Sequence, residues 1–123
     1  MLNIKNLIPI KVNNLIRLGR DNDGGYIIPK SLIDNCDGLL SYGINKDWSF
    51  EDDFIKRKKN IIIHCYDHTL NISSLIKFTI KSTLLFFLYS IIFDRKRLKI
   101  SFDGFFIINS YFHFFNKKTK HFK

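Results

Sequence analysis

The chain has 123 residues, enough for one domain with a single modest core, or for part of a larger domain. Hydrophobic residues at 46% against 25% charged exclude a wholly disordered chain, and two cysteines, Cys36 and Cys65, are too few for a disulfide scaffold. The net charge of +9 does not by itself indicate nucleic acid: the chain has no Ala or Gln and is rich in Ile, Asn, Lys and Phe, the signature of A/T-rich codons.

The charge is also uneven. Residues 1–70 carry ten Lys/Arg against nine Asp/Glu, whereas residues 71–123 carry ten against two. The basicity therefore belongs to the C-terminal part, where no nucleic-acid-binding motif is recognisable, and nucleic acid is not the expected partner. No basic segment, apolar stretch and small-residue cleavage site opens the chain, so the expected compartment is the cytoplasm.

In chain order, Leu15–Gly19 and Tyr26–Ile28 are short β-type runs on either side of Asp23-Gly24-Gly25. Asp-Gly and Gly-Gly tolerate positive φ, so a β-hairpin is expected over 15–28, stopped by Pro29. Ser31 through Asn35 reads as one helical turn capped by Ser31. Gly38–Gly43 reads as a buried strand. Asp47 or Ser49 can cap the helix that follows, over Ser49–Lys58. Glu51, Asp52 and Asp53 fall in its first turn and Lys56 to Lys59 at its end, the order that the helix dipole favours. Phe50, Phe54 and Ile55 supply its buried stripe. Ile61–Tyr66 is a second buried strand, and strand, helix and strand at this spacing make a βαβ unit with parallel strands and a right-handed crossover.

Beyond Thr69 the pattern changes. Leu75–Phe93 is strongly apolar, but its uninterrupted part, Ser82–Phe93, is too short to cross a bilayer as a helix, so a buried core helix is expected. Ile100–Phe102 reads as a short element, Phe105–Phe115 as an aromatic-rich run, and Asn116–Lys123 as a frayed basic tail.

In open α/β sheets ligands bind at the carboxyl ends of the strands. Here the first strand of the βαβ unit ends at Tyr42-Gly43 and the second at Asp67, whose carboxylate can accept from ribose hydroxyls. The competing reading makes Gly43 a turn glycine and Asp67 the cap of the next turn. His64, Cys65, Asp67 and His68 cluster in sequence, but adjacent strand residues face opposite ways, so no metal site is expected. Cys65 is expected to be a buried thiol, with little to suggest a lowered pKa. Asp52 and Asp53 diverge on their helix and read as a solvated face. Trp48 either packs or stacks on an adenine.

Three linked blocks then carry a resemblance: RLGRDNDGGYIIP, DGLLSYGINKDWSFEDDF and IIIHCYDHT, within residues 17–69. They resemble the N-terminal half of FkbM-type methyltransferases, in which an Arg-x-Gly…Asp-Gly-Gly-Tyr segment precedes the first strand of a Rossmann-like domain. The resemblance implies S-adenosylmethionine as cofactor, with Ser41, Tyr42 and Gly43 beside it, Glu51 on the following helix and Asp67 as the ribose-binding acid. It also implies O-methyl transfer to a small-molecule or glycan hydroxyl. No residue is assigned as catalytic base.

The expected organisation is a hairpin region over 1–35, a βαβ cofactor half-site over 36–70, and a helical basic part over 71–123. This is a partial, Rossmann-like α/β domain, a truncated copy with little or no activity. Its unpaired sheet edge favours self-association. The alternative is a small membrane-associated or partner-binding protein that uses the apolar 75–93 segment and its flank Arg95-Lys96-Arg97 on a membrane surface.

Overall fold

A computed structural model describes residues 11–21, 24–116 and 119–122. The order of elements is β1 (Leu15–Leu18), β2 (Tyr26–Pro29), α1 (Lys30–Asn35), β3 (Gly38–Tyr42), α2 (Ser49–Arg57), β4 (Ile62–Tyr66), α3 (Ile72–Ile92), α4 (Arg95–Phe105), α5 (Ile107–Phe114) and β5 (Thr119–Phe122). The first two strands form the expected antiparallel hairpin, pairing Leu15 with Pro29 and Leu18 with Tyr26. Asn22 and Asp23 at its turn lie outside the described residues. α1 begins at Lys30 after Pro29 and has no side-chain cap, so Ser31 lies within the helix and does not cap it. Proline at this position has its φ already set and no N–H to leave unsatisfied.

β3 and β4 are parallel, in register from Gly38–Ile62 to Tyr42–Tyr66, and α2 connects them. The βαβ unit is therefore present as expected. The hairpin is fastened to α2. Gly19 N–H donates to Asp53 Oδ2 (3.0 Å), Arg20 N–H donates to Ser49 Oγ (3.1 Å), and the Tyr26 ring meets the Phe50 ring edge-on at 5.2 Å. Asp53 is thus a tether between two elements, while Asp52 stays on the outer face with Lys56 (2.7 Å).

Three expectations for the rest of the chain are corrected. The tail is not frayed over Thr119–Phe122, which pairs in parallel with β4 to give the sheet order β3-β4-β5. Thr119 is buried and its hydroxyl donates to the Phe114 carbonyl, so the polar strand is bolted to the end of α5. The strands are not buried on both faces. Ile63 and Cys65 are fully buried, whereas Leu40, Tyr42 and Ile62 are 59–72% exposed. This sheet is covered on one side only, although parallel sheets are usually covered on both.

The third correction concerns 75–93. Ser82–Phe93 is the second half of a 21-residue helix that starts at Ile72, where Asn71 and Ser74 form a reciprocal cap. Within α3 only Leu75 and Ser82 are buried, so it is not a core helix. It packs against α4 as a helical hairpin, and the core gathers instead around Leu18, Phe54, Ile61, Ile63, Leu70 and Leu75. Ile100–Phe102 lies within α4, and the Phe105–Phe115 run supplies the end of α4 and α5.

The hairpin closes at Gly104. A Cβ there would lie 2.8 Å from Ser82 Cβ and 3.0 Å from the Phe78 ring, inside any normal contact. Replacing Gly104 by Ala is therefore expected to destabilise the fold by about 1–3 kcal/mol through overpacking. Denaturant unfolding of the two proteins measures this, and equal midpoints would show that α3 and α4 do not meet there.

Candidate functional site

The carboxyl ends of β3 and β4 are held together by one carboxylate. β3 leaves the sheet at Gly43, whose N–H still donates to the Tyr66 carbonyl (3.0 Å) and whose φ of +69° turns the chain away. That left-handed backbone suits glycine. Asn45 follows at φ +48°, in the region that Asn tolerates best after Gly. Its N–H donates to Asp67 Oδ2 at 2.6 Å. The other oxygen, Oδ1, accepts from Thr69 N–H (2.7 Å), Thr69 Oγ1 (2.6 Å) and Leu70 N–H (3.1 Å). Burial alone would raise the Asp67 pKa, but these hydrogen bonds outweigh it and hold the carboxyl at about 2. Asp67 thus caps its own turn and ties that turn to the β3 loop. Oδ2 accepts only one hydrogen bond among the described residues, so a second position on it remains for a ligand hydroxyl.

A second carboxyl is in the opposite condition. Ser41, on the covered face of β3, donates its hydroxyl to Glu51 Oε1 in the first turn of α2. Glu51 is 3% exposed, and its Oε2 is buried with no hydrogen-bond partner among the described residues. Burial pushes its pKa up. The Ser41 hydroxyl and the Glu51 backbone N–H pull it partly back, and Asp47 adds a further push upward. Cys65 is the register partner of Ser41, and burial together with the Glu51 charge pushes its thiol up to about 12. It stays protonated at neutral pH and is no thiolate nucleophile there.

Two clefts flank Gly43. One of about 610 Å³ lies between β2 and β3, with Tyr26, Ile28, Ser41 and Glu51 in its lining. The other, about 530 Å³, lies over Tyr66, Asp67 and His68. Tyr42, Gly43 and Asn45 line both, so the clefts meet at the β3 loop. Beyond Gly43 the space is open, with no atom within 4 Å of where a Cβ would stand.

The sequence-derived residues Ser41, Tyr42, Gly43, Glu51 and Asp67 are therefore brought together at one end of the sheet. Their side chains do not share one face, however. Ser41 and Glu51 lie on the covered side, while Tyr42 is exposed and stacks on Tyr66 at 5.1 Å. Trp48 is a packing residue, buried against Tyr111, Phe114 and Phe115 of the α5 region. His64 and Cys65 face opposite sides, and among the described residues no group of three His, Cys, Asp or Glu could hold a metal ion.

The sequence reading missed His121. Its Nε2 lies 3.0 Å from the Asp67 carbonyl and its Nδ1 2.9 Å from the Tyr111 hydroxyl. A carbonyl can only accept, so Nε2 donates to it. The imidazole fixes β5 and α5 against the end of β4. A histidine in a lysine-rich tail gave no sequence signal for it.

No family model, curated protein or solved structure matches this chain.

The two carboxyls predict opposite pH behaviour. Asp67 has a native pKa of about 2 against an ordinary 3.8. Its charged form therefore contributes about 2 kcal/mol above pH ~4, which is lost as pH falls toward 2. In Asp67→Asn the stability deficit should be full at neutral pH and shrink over that window, as read by denaturant unfolding at each pH. Glu51 has its pKa raised above 4.5, so its charged form weakens the fold as pH rises above that value. Glu51→Gln is therefore expected to raise the melting temperature at pH 7, with the gain vanishing below pH ~4. A lower melting temperature at pH 7 would show that the carboxylate is well satisfied in the fold.

Proposed function

We propose that the chain forms the cofactor-binding half of an S-adenosylmethionine-dependent methyltransferase domain similar to the FkbM type, acting on a hydroxyl acceptor. The observation that carries this reading is Glu51 Oε2. It is a buried acceptor without a donor, at the carboxyl end of the first strand of a βαβ unit and beside an open cleft. Leaving such a group unsatisfied costs about 1–3 kcal/mol, which a ligand donor would recover.

The residues present fit that cofactor. S-adenosylmethionine carries an ammonium, an adenine amine and two ribose hydroxyls, all donors, and each cleft has a carboxyl in its lining, Glu51 with Oε2 unpaired in one and Asp67 with a position left on Oδ2 in the other. The two clefts share Tyr42, Gly43 and Asn45 in their linings and suit an elongated ligand lying across Gly43, which carries no side chain of its own. Tyr42 and Tyr66 add aromatic surface beside Asp67. When bound, the cofactor supplies an electrophilic methyl on its sulfonium. The chain's own contribution is positioning: Asp67 fixes the loop, Asn45 and Gly43 shape it, and Ser41 holds Glu51 in place for a donor. Methyl transfer depends on such positioning more than on acid–base groups of the protein.

Calorimetric titration with S-adenosylmethionine and with S-adenosylhomocysteine tests this. Binding to the wild type is expected, weakened about tenfold or more in Glu51→Gln and in Ser41→Ala. Because Glu51→Gln is expected to be the more stable protein, a loss of affinity in it cannot come from unfolding. No heat of binding to the wild type, or equal affinity in all three proteins, would overturn the proposal.

A further inference from the structure

Among the described residues, the longest helix has one side left exposed. Along the outer face of α3, Leu84, Phe87, Leu88, Ile91 and Ile92 are 47–76% exposed, and Phe93, which ends the helix at φ +58°, is 88% exposed. From Ser82 to Phe93 this face carries no charge. Immediately beyond it, at the tip of the α3–α4 hairpin, come Asp94 and then Arg95, Lys96, Arg97 and Lys99. Asp94 caps α4 and pairs with Arg97 (3.4 Å), which leaves exposed Arg95, Lys96 and Lys99 as net positive charge at the tip. Nearer the start of α3, Lys77 and Lys81 are exposed beside the same apolar stripe.

We propose that the α3–α4 hairpin docks on an anionic lipid bilayer, with Leu84, Phe87, Ile91 and Phe93 entering the interface and Arg95, Lys96 and Lys99 lying among the headgroups. Charge complementarity selects this occupant. A second copy placed on the same face would bring five exposed cations toward five others, whereas an anionic surface neutralises them. An apolar face flanked by basic residues is the pattern of helices that lie in the plane of the interface.

α3 is also long and apolar enough to cross a membrane by length and composition, with a mean hydropathy of 1.6 over its best window. Its 21 residues span about 31 Å, just the hydrocarbon thickness. Crossing would set Lys81 at the mid-plane, next to the central residue Ser82, and would pull the charged helix α4 in alongside. Lying flat avoids both. The proposal is independent of the cofactor site, none of whose residues lie on the hairpin.

The test is co-sedimentation of the full chain with phosphatidylcholine vesicles made with and without phosphatidylglycerol. Binding is expected only to the anionic vesicles, weakened at high salt. It is expected to fall about fivefold for each of Arg95→Gln, Lys96→Gln and Lys99→Gln. Ile91→Asp should abolish it, and since that side chain is 76% exposed the variant should fold, as far-ultraviolet circular dichroism would show. Equal binding to neutral vesicles, or none to anionic ones, would overturn the proposal. So would a vesicle-free dimer dispersed by Ile91→Asp, which makes the occupant a second copy, and so would resistance to alkaline extraction, which makes α3 a span.

Discussion

The carboxylate of Asp67 joins three parts of this molecule that are distant in sequence. Through Oδ2 it holds the loop after β3, through Oδ1 the turn that leads into α3, and its backbone N–H and carbonyl engage Phe122 and His121 of β5. A charged acceptor is worth more to backbone N–H groups than a neutral one, and here almost all of its acceptor positions are used. The two clefts meet at the loop it holds. That hydrogen bond holds Asn45 in its left-handed conformation, next to Gly43, which the Tyr66 carbonyl holds.

Glu51 shows the complementary physics. It sits in the first turn of α2, where the helix dipole favours a negative charge, yet burial dominates and raises its pKa. Ser41 satisfies one oxygen and nothing among the described residues satisfies the other. Two carboxyls, one in the first turn of α2 and one just after β4, thus divide the work. One is engaged through both oxygens and organises the loops, and the other has an oxygen without a donor. Environments that push two like groups apart in this way are characteristic of binding and catalytic sites.

The same uneven coverage runs through the whole fold. One face of the β3-β4-β5 sheet packs into the core, and the other shows Leu40, Tyr42 and Ile62 to solvent. The α3–α4 hairpin closes tightly on itself at Gly104 and Ser82 but leaves its outer stripe bare. A chain with this much apolar content and this little interior keeps hydrophobic surface outside, and where that surface adjoins a basic cluster it has the character of an interface.

The sequence by itself determined the local elements whose signals are short-range. These were the hairpin around Gly24-Gly25, the acid-first, base-last helix at Ser49–Arg57, and an apolar and a β-branched strand at the spacing of a parallel crossover. Tyr42, Gly43 and Asp67 could be placed near one another because strand ends in a βαβ unit converge, whereas Ser41 was added only through the family resemblance. Only the tertiary structure decided what those side chains do there. Asp67 is held by N–H groups up to 22 residues away, and Glu51 Oε2 is left without a donor by burial, which no local pattern encodes. Likewise, Thr119–Phe122 has the composition of a loose basic tail and becomes a strand because β4 offers a free edge and Phe114 an acceptor. The apolar run of 75–93 announces a helix, but periodicity cannot tell a helix packed inside from one left outside. That depends on how many neighbours the fold brings to it, and for α3 it brings them to one side only.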